Sequence, residues 1–170
     1  MTWPTKKFGP ITFDSILKAF DGQHDVKKGS NSWTRNALIA ANNQFNGKWS
    51  FNTLNKEQLL KIVLPYHTSE HGGIELVPKS GMTIEDTINK IKSIPDYNIR
   101  NPDCWKKIVY LKQVPMNPVF LSVSLPSWPD YQDIILLPGE HFIHLDGLHR
   151  LIAWGLDDRL DEVTAFIAGL

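Results

Sequence analysis

Between His141 and Trp154 the chain reads HFIHLDGLHRLIAW, which packs three histidines, one aspartate and one arginine into a strand-turn-helix pattern. Phe142, Ile143 and Leu145 suit a strand, Asp146-Gly147 is turn chemistry, and Leu148, Leu151, Ile152 and Gly155 share one side of a helix. Asp146 to Arg150 therefore fall at a helix N-terminus. There the first N–H groups lack intrahelical partners and the dipole is positive. His149 and Arg150 add donors suited to phosphate or carboxylate, so the stretch reads as an anion site. Strand alternation puts Glu140, His144 and Asp146 on one side and His141, Ile143 and Leu145 on the other. The candidate catalytic residues are accordingly Asp146, His149, Glu140 and His144, and the candidate cofactor-binding residues are Gly147, Leu148, His149 and Arg150. Asp146 is also a good helix N-cap, the plain structural alternative.

Charge narrows the partner. Residues 1–120 carry 16 Lys+Arg against 10 Asp+Glu, whereas residues 121–170 carry 2 against 8. The half containing the motif is therefore acidic, which disfavours nucleic acid, because duplex affinity comes mainly from phosphate neutralisation. A small-molecule substrate held by a few placed cations fits better. The single cysteine, Cys104, excludes an intrachain disulfide, removes any cysteine-based zinc cluster, and suits a reducing compartment. Met1 to Pro10 lacks a signal-like pattern and no apolar run approaches the roughly 18 residues of a membrane span. A cytoplasmic protein without a membrane partner is expected.

The residues before Pro115 read mainly as helices. Met1 to Pro10 is expected to be an irregular arm. Ile11 to Phe20 follows as a helix capped by Thr12 or Asp14, and Trp33 to Phe45 as another, ending at Asn46-Gly47. Lys27-Lys28-Gly29-Ser30-Asn31 reads as a solvated loop, with a mobile basic lid over an anionic ligand as its functional counterpart. Asn55 to Gln58 forms a capping box opening a helix that continues through Leu64 to Pro65. His67, Glu70 and His71 gather in a glycine-containing loop, where helical metal-ligand spacing does not apply. Thr83 caps a helix with Ile84, Ile88 and Ile91, and Asn101-Pro102 opens one with Cys104, Ile108 and Leu111 on one face. After Pro115 the texture becomes β-rich, with strands expected at Val119–Val123, Asp133–Leu137, His141–Leu145 and Val163–Ile167. The expectation is one α+β domain over 1–170, with a mainly helical region at 1–114 packed on a small mixed sheet at 115–170.

The run Leu145 to Ala153, preceded by Pro115-Met116-Asn117-Pro118-Val119-Phe120-Leu121, resembles the two core boxes of the ParB/sulfiredoxin-like superfamily. In that family a proline-led strand precedes a Gly-x-x-Arg or Gly-x-His-Arg turn that holds nucleotide phosphates. The Asp-Gly-x-His-Arg turn is closest to that of the free-serine-kinase-type members. The resemblance covers about the last 55 residues. Leu148 stands where sulfiredoxin has its catalytic cysteine, which excludes that chemistry. What the resemblance implies is phosphoryl transfer from ATP or another nucleotide, with Mg²⁺, to a small hydroxylated or amino-acid-like substrate. Asp146 or Glu140 would take the acceptor's proton or help hold the metal. Two other readings stand beside it. One is a ParB-like nucleic-acid-associated regulator or nuclease; the other is a metal-dependent tailoring enzyme using His141, His144 and His149.

Overall fold

The computed structural model describes residues 6–25, 29–68, 73–139 and 141–170. Strand β1 (Lys6–Pro10) is followed by helices α1 (Phe13–Gln23) and α2 (Gly29–Gln44), strand β2 (Trp49–Asn55), the short helix α3 (Lys56–Leu60) and strand β3 (Val63–Leu64). Strands β4 (His67–Thr68), β5 (Glu75–Val77) and β6 (Met82–Thr83) come next, then helices α4 (Ile84–Ser93), α5 (Tyr97–Arg100) and α6 (Pro102–Lys112). Strand β7 (Val119–Ser122), strand β8 (Ile143–Asp146), helix α7 (Leu148–Leu156) and strand β9 (Glu162–Ala168) complete the chain. Seven strands form one mixed sheet in the order β1-β2-β9-β7-β8-β3-β6, and β4 and β5 form a separate antiparallel pair. No helix among the described residues is long and apolar enough to cross a membrane.

Side-chain alternation gives the sheet two buried faces. Val119 and Leu121 of β7, with Val163, Ala165 and Ile167 of β9, pack with Ile88 of α4, Ile108 of α6 and Leu151 of α7. Phe120, Phe166 and Ala168 point the other way, onto Ile16 and Phe20 of α1 and Leu38 of α2. A period of two along each strand thus separates two cores, and the protein is α+β with helices on both faces of a mixed sheet.

Several caps form as their local chemistry dictates. Thr12 accepts from the Ser15 amide, Thr83 from the Asp86 amide, and Asn55 with Gln58 makes a reciprocal capping box. Asn46 and Gly47, with φ of 52° and 74°, turn the chain out of α2. Asn101 makes no side-chain cap; its amide instead donates to the Tyr97 hydroxyl at 2.9 Å.

The N-terminal part departs from the helical expectation, because β1, β2, β3 and β6 supply four of the seven sheet strands. Lys6–Pro10 is an edge strand rather than an irregular arm, paired with β2. The seven-residue β2 pairs along its whole length with β9. It lacks simple apolar alternation because Ser50 and Asn52 occupy buried positions, where Asn52 donates to Ser50 at 2.7 Å. The helix begun at Asn55 stops at Leu60. Val63 and Leu64 pair instead with β8 and β6, in keeping with the extended backbone that Pro65 favours in the residue before it. Asp133–Leu137 is not a strand: Ile134 is buried, whereas Ile135 and Leu137 are 72% and 71% exposed.

Candidate functional site

β8 ends at Asp146, and the chain reverses into α7 through Gly147. This residue has φ 112° and occupies the N-cap position, and no side chain caps the helix. The capping role open to Asp146 is thus not the one it takes. Its carboxylate accepts instead from His24 Nε2 at 2.9 Å and from Arg150 Nη2 at 2.9 Å. Arg150 Nη1 donates to Gln23 Oε1 at 2.8 Å and to the Pro118 carbonyl at 3.0 Å. One guanidinium therefore ties together the end of α1, the approach to β7 and the β8–α7 turn. Burial raises the Asp146 pKa, but the His24 hydrogen bond and the Arg150 charge outweigh it and hold the carboxyl below its ordinary value.

Two cavities meet at this turn. The larger, about 430 Å³, is lined by Gln23, His24, Lys107, Tyr110, Asn117 and Arg150 among others. The smaller, about 180 Å³, includes Thr34, Tyr66, His67, Tyr131 and His144. Asp146, Gly147, Leu148 and His149 border both. The strand-turn-helix is thus a partition between two hollows.

The expected site residues separate into groups. Asp146, Gly147, Leu148, His149 and Arg150 adjoin the larger cavity, and His144 lies on the smaller with Asp146 and His149. Glu140, with Glu70, His71 and Lys27-Lys28, lies outside the described residues; the rest of the loop expected at 27–31 is helical instead, since α2 begins at Gly29. His141 bonds through Nε2 to the Leu137 carbonyl at 3.2 Å and borders neither cavity. The grouping of His141, His144 and His149 therefore does not form among the described residues. The ligand atoms that converge belong to His67, Cys104 and His149 and lie within 4.8 Å of one another.

Sequence reasoning missed His24. It follows α1 at the C-cap and stacks on Phe20 with ring centroids 4.3 Å apart. Its link to Asp146 spans 122 positions, so no local pattern could have revealed it.

His144 is 6% exposed, and neither ring nitrogen has a hydrogen-bond partner. Burial pushes its pKa down to about 4. Burial, with the charges of His67 and Lys107, pushes His149 down to about 3. Each ring titrates near its ordinary value of 6.5 once unfolded, so below that pH the unfolded chain binds more protons and stability falls. Between pH 6.5 and 4 each ring is expected to remove up to about 1.4 kcal/mol per pH unit. Urea denaturation in chelator across this range should show the slope, and His144→Leu should reduce it; a profile identical to wild type would contradict the assignment to His144.

Residues 5–170 match a family of unknown function, DUF6309. No curated protein and no solved structure matches the chain.

Proposed function

The chain belongs to this family of unknown function, and we propose that it is a small-molecule enzyme that binds a phosphate-bearing ligand in the larger cavity and moves a proton with His24. The observation that carries this reading is the His24–Asp146–Arg150 array opening onto a hollow of about 430 Å³. Small-molecule sites span roughly 300–1,000 Å³ and combine apolar walls with a few polar groups. Leu111, Val114 and Trp154 supply apolar wall here, and Lys107, Tyr110 and Asn117 supply polar groups.

A phosphate at the α7 N-terminus would meet backbone N–H groups and a positive dipole, with no side-chain cap competing. Lys107 would add charge from α6. Arg150 contributes mainly by position, since both terminal nitrogens already hold protein acceptors. Asp146 accepts from His24 Nε2 and so orients the ring, leaving the other ring nitrogen to take a proton from an acceptor hydroxyl.

The finer reading is nucleotide-dependent phosphoryl transfer to a small hydroxylated or amino-acid-like substrate. Mg²⁺-nucleotide is commonly held by one or two carboxylates plus substrate phosphates, and Asp146, whose Oδ2 takes both His24 and Arg150, would offer it Oδ1 on this wall. Bound there, Mg²⁺ would neutralise the phosphates.

Thermal shift with Mg²⁺-ATP, other nucleotides and inorganic phosphate tests the binding step. At 100 times Kd a ligand stabilises by about 2.7 kcal/mol, a rise of roughly 5–10 °C for a chain of this size. His24→Gln is expected to keep that rise while lowering turnover about 10²- to 10⁴-fold. No stabilisation by any phosphate-bearing ligand would refute the proposal.

A further inference from the structure

We propose that His67, Cys104 and His149 form a transition-metal site, with zinc(II) the best match to the donor set. One ligand atom from each lies within 4.8 Å of the others. The residues come from β4, α6 and α7, so tertiary packing rather than sequence spacing brings them together. Tetrahedral zinc, at about 2.0–2.1 Å from nitrogen and 2.3 Å from sulfur, sets ligand atoms about 3.3–3.6 Å apart. Closing the observed triangle to that size is a movement on the order of 1 Å, within reach of side-chain rotation.

Independent features point to a ligand at this place. His149 Nε2 is buried with no hydrogen-bond partner, and its ring meets that of His67 edge-on at 4.9 Å between centroids. The Tyr97 hydroxyl donates to Cys104 Sγ at 3.2 Å and itself accepts from Asn101 at 2.9 Å. A relay of donors ending on sulfur is the outer-shell support that a metal-bound thiolate uses. His144 adds a buried imidazole with both nitrogens unpartnered, on the wall of the smaller cavity that His67 and His149 share.

The donor types select the metal. Two imidazoles and a thiolate suit zinc and other borderline or soft ions, whereas Mg²⁺ and Ca²⁺ require oxygen. Three protein ligands leave a fourth position for water or substrate, the pattern of a catalytic rather than a closed structural zinc centre. Because His67 and His149 line the smaller cavity and Cys104 does not, that position belongs on the cavity side, where His144 and Asp146 also lie. This site is separate from the nucleotide reading and is tested without nucleotide.

Full-length protein stripped with chelator is titrated with Co²⁺, then with Zn²⁺. The expected result is one equivalent bound, near-ultraviolet sulfur-to-cobalt charge-transfer absorption, displacement by Zn²⁺, and a higher Tm with Zn²⁺ than with Mg²⁺. Cys104→Ser should abolish that absorption, His67→Gln should weaken binding at least about tenfold, and His141→Gln should leave both unchanged. Absence of saturable one-to-one binding, absence of the sulfur band in wild type, or a band unchanged in Cys104→Ser would overturn the proposal. Should Cys104→Ser fail to fold, wild-type absorption together with His67→Gln affinity decides: a missing band or undiminished affinity overturns it.

Discussion

Replacing Gly147 with alanine is expected to remove about 2–6 kcal/mol of stability, the sum of two separable penalties. The backbone stands at φ 112°, and an added Cβ would lie 2.7 Å from Val119 Cγ1, 3.1 Å from Val119 Cβ and 3.2 Å from Arg150 Nη2. A residue with a side chain held in so sparsely populated a region costs roughly 1–3 kcal/mol. Forcing a methyl into the packed contact between β7 and the turn costs roughly another 1–3 kcal/mol. A domain with a total stability of about 5–15 kcal/mol would be brought close to unfolding. Urea denaturation of Gly147→Ala and of Gly147→Ala with Val119→Ala separates the contributions. The second substitution should relieve the steric part once its own cavity cost, measured in Val119→Ala alone, is subtracted. A Gly147→Ala protein as stable as wild type would mean that the turn is held differently. The same geometry explains why glycine follows Asp146: only a residue without Cβ lets α7 start directly against β7, with its first N–H groups left uncapped.

What could be read in advance was local. Thr12, the Asn55–Gln58 pair and Thr83 act within one helical turn, so spacing alone shows them. β7, β8, α7 and β9 also follow from apolar alternation and helical spacing near the C-terminus. β2 was hidden because its buried positions include Ser50 and Asn52, where the Asn52 amide donates to the Ser50 hydroxyl instead of the strand presenting an apolar face. Val63-Leu64 looked like the end of a helix because its partners, Met82-Thr83 and Ile143, are remote in sequence. The site divides similarly. Asp146, Gly147, Leu148, His149 and Arg150 could be named from one turn motif, but the bonds they make could not. Arg150 looked like a phosphate donor because Asp146 read as an acid–base residue or a cap rather than as its ion-pair partner; Asp146 pairs with it, and Gln23 and the Pro118 carbonyl engage it through the fold. Cys104 was set aside because a single thiol makes no cysteine cluster, yet a mixed set needs one thiol and histidines from elsewhere.

Arg150→Ala is expected to cost about 3–5 kcal/mol in the ligand-free protein, because it leaves a buried carboxylate without its strongest countercharge. The Arg150 and Asp146 side chains are 12% and 14% exposed, so water cannot readily replace the lost partner. Gln23 Oε1 and the Pro118 carbonyl also lose their donor. Arg150→Lys should recover part of the loss, since an ammonium restores charge but cannot span three acceptors in the planar geometry of a guanidinium. Asp146→Asn should likewise destabilise by leaving Arg150 short of a negative partner. The double variant Asp146→Asn with Arg150→Ala should lose less than the sum of the single losses, a coupling of about 1–3 kcal/mol. Urea denaturation of wild type, both single variants and the double variant closes the cycle. Had Arg150 served only an incoming phosphate, ligand-free stability would be unchanged and the nucleotide-dependent rise in Tm alone would vanish. The bonds to Asp146, Gln23 and Pro118 require the reverse order: stability falls first, and the phosphate binding proposed above would weaken only because the β8–α7 turn is no longer held in place.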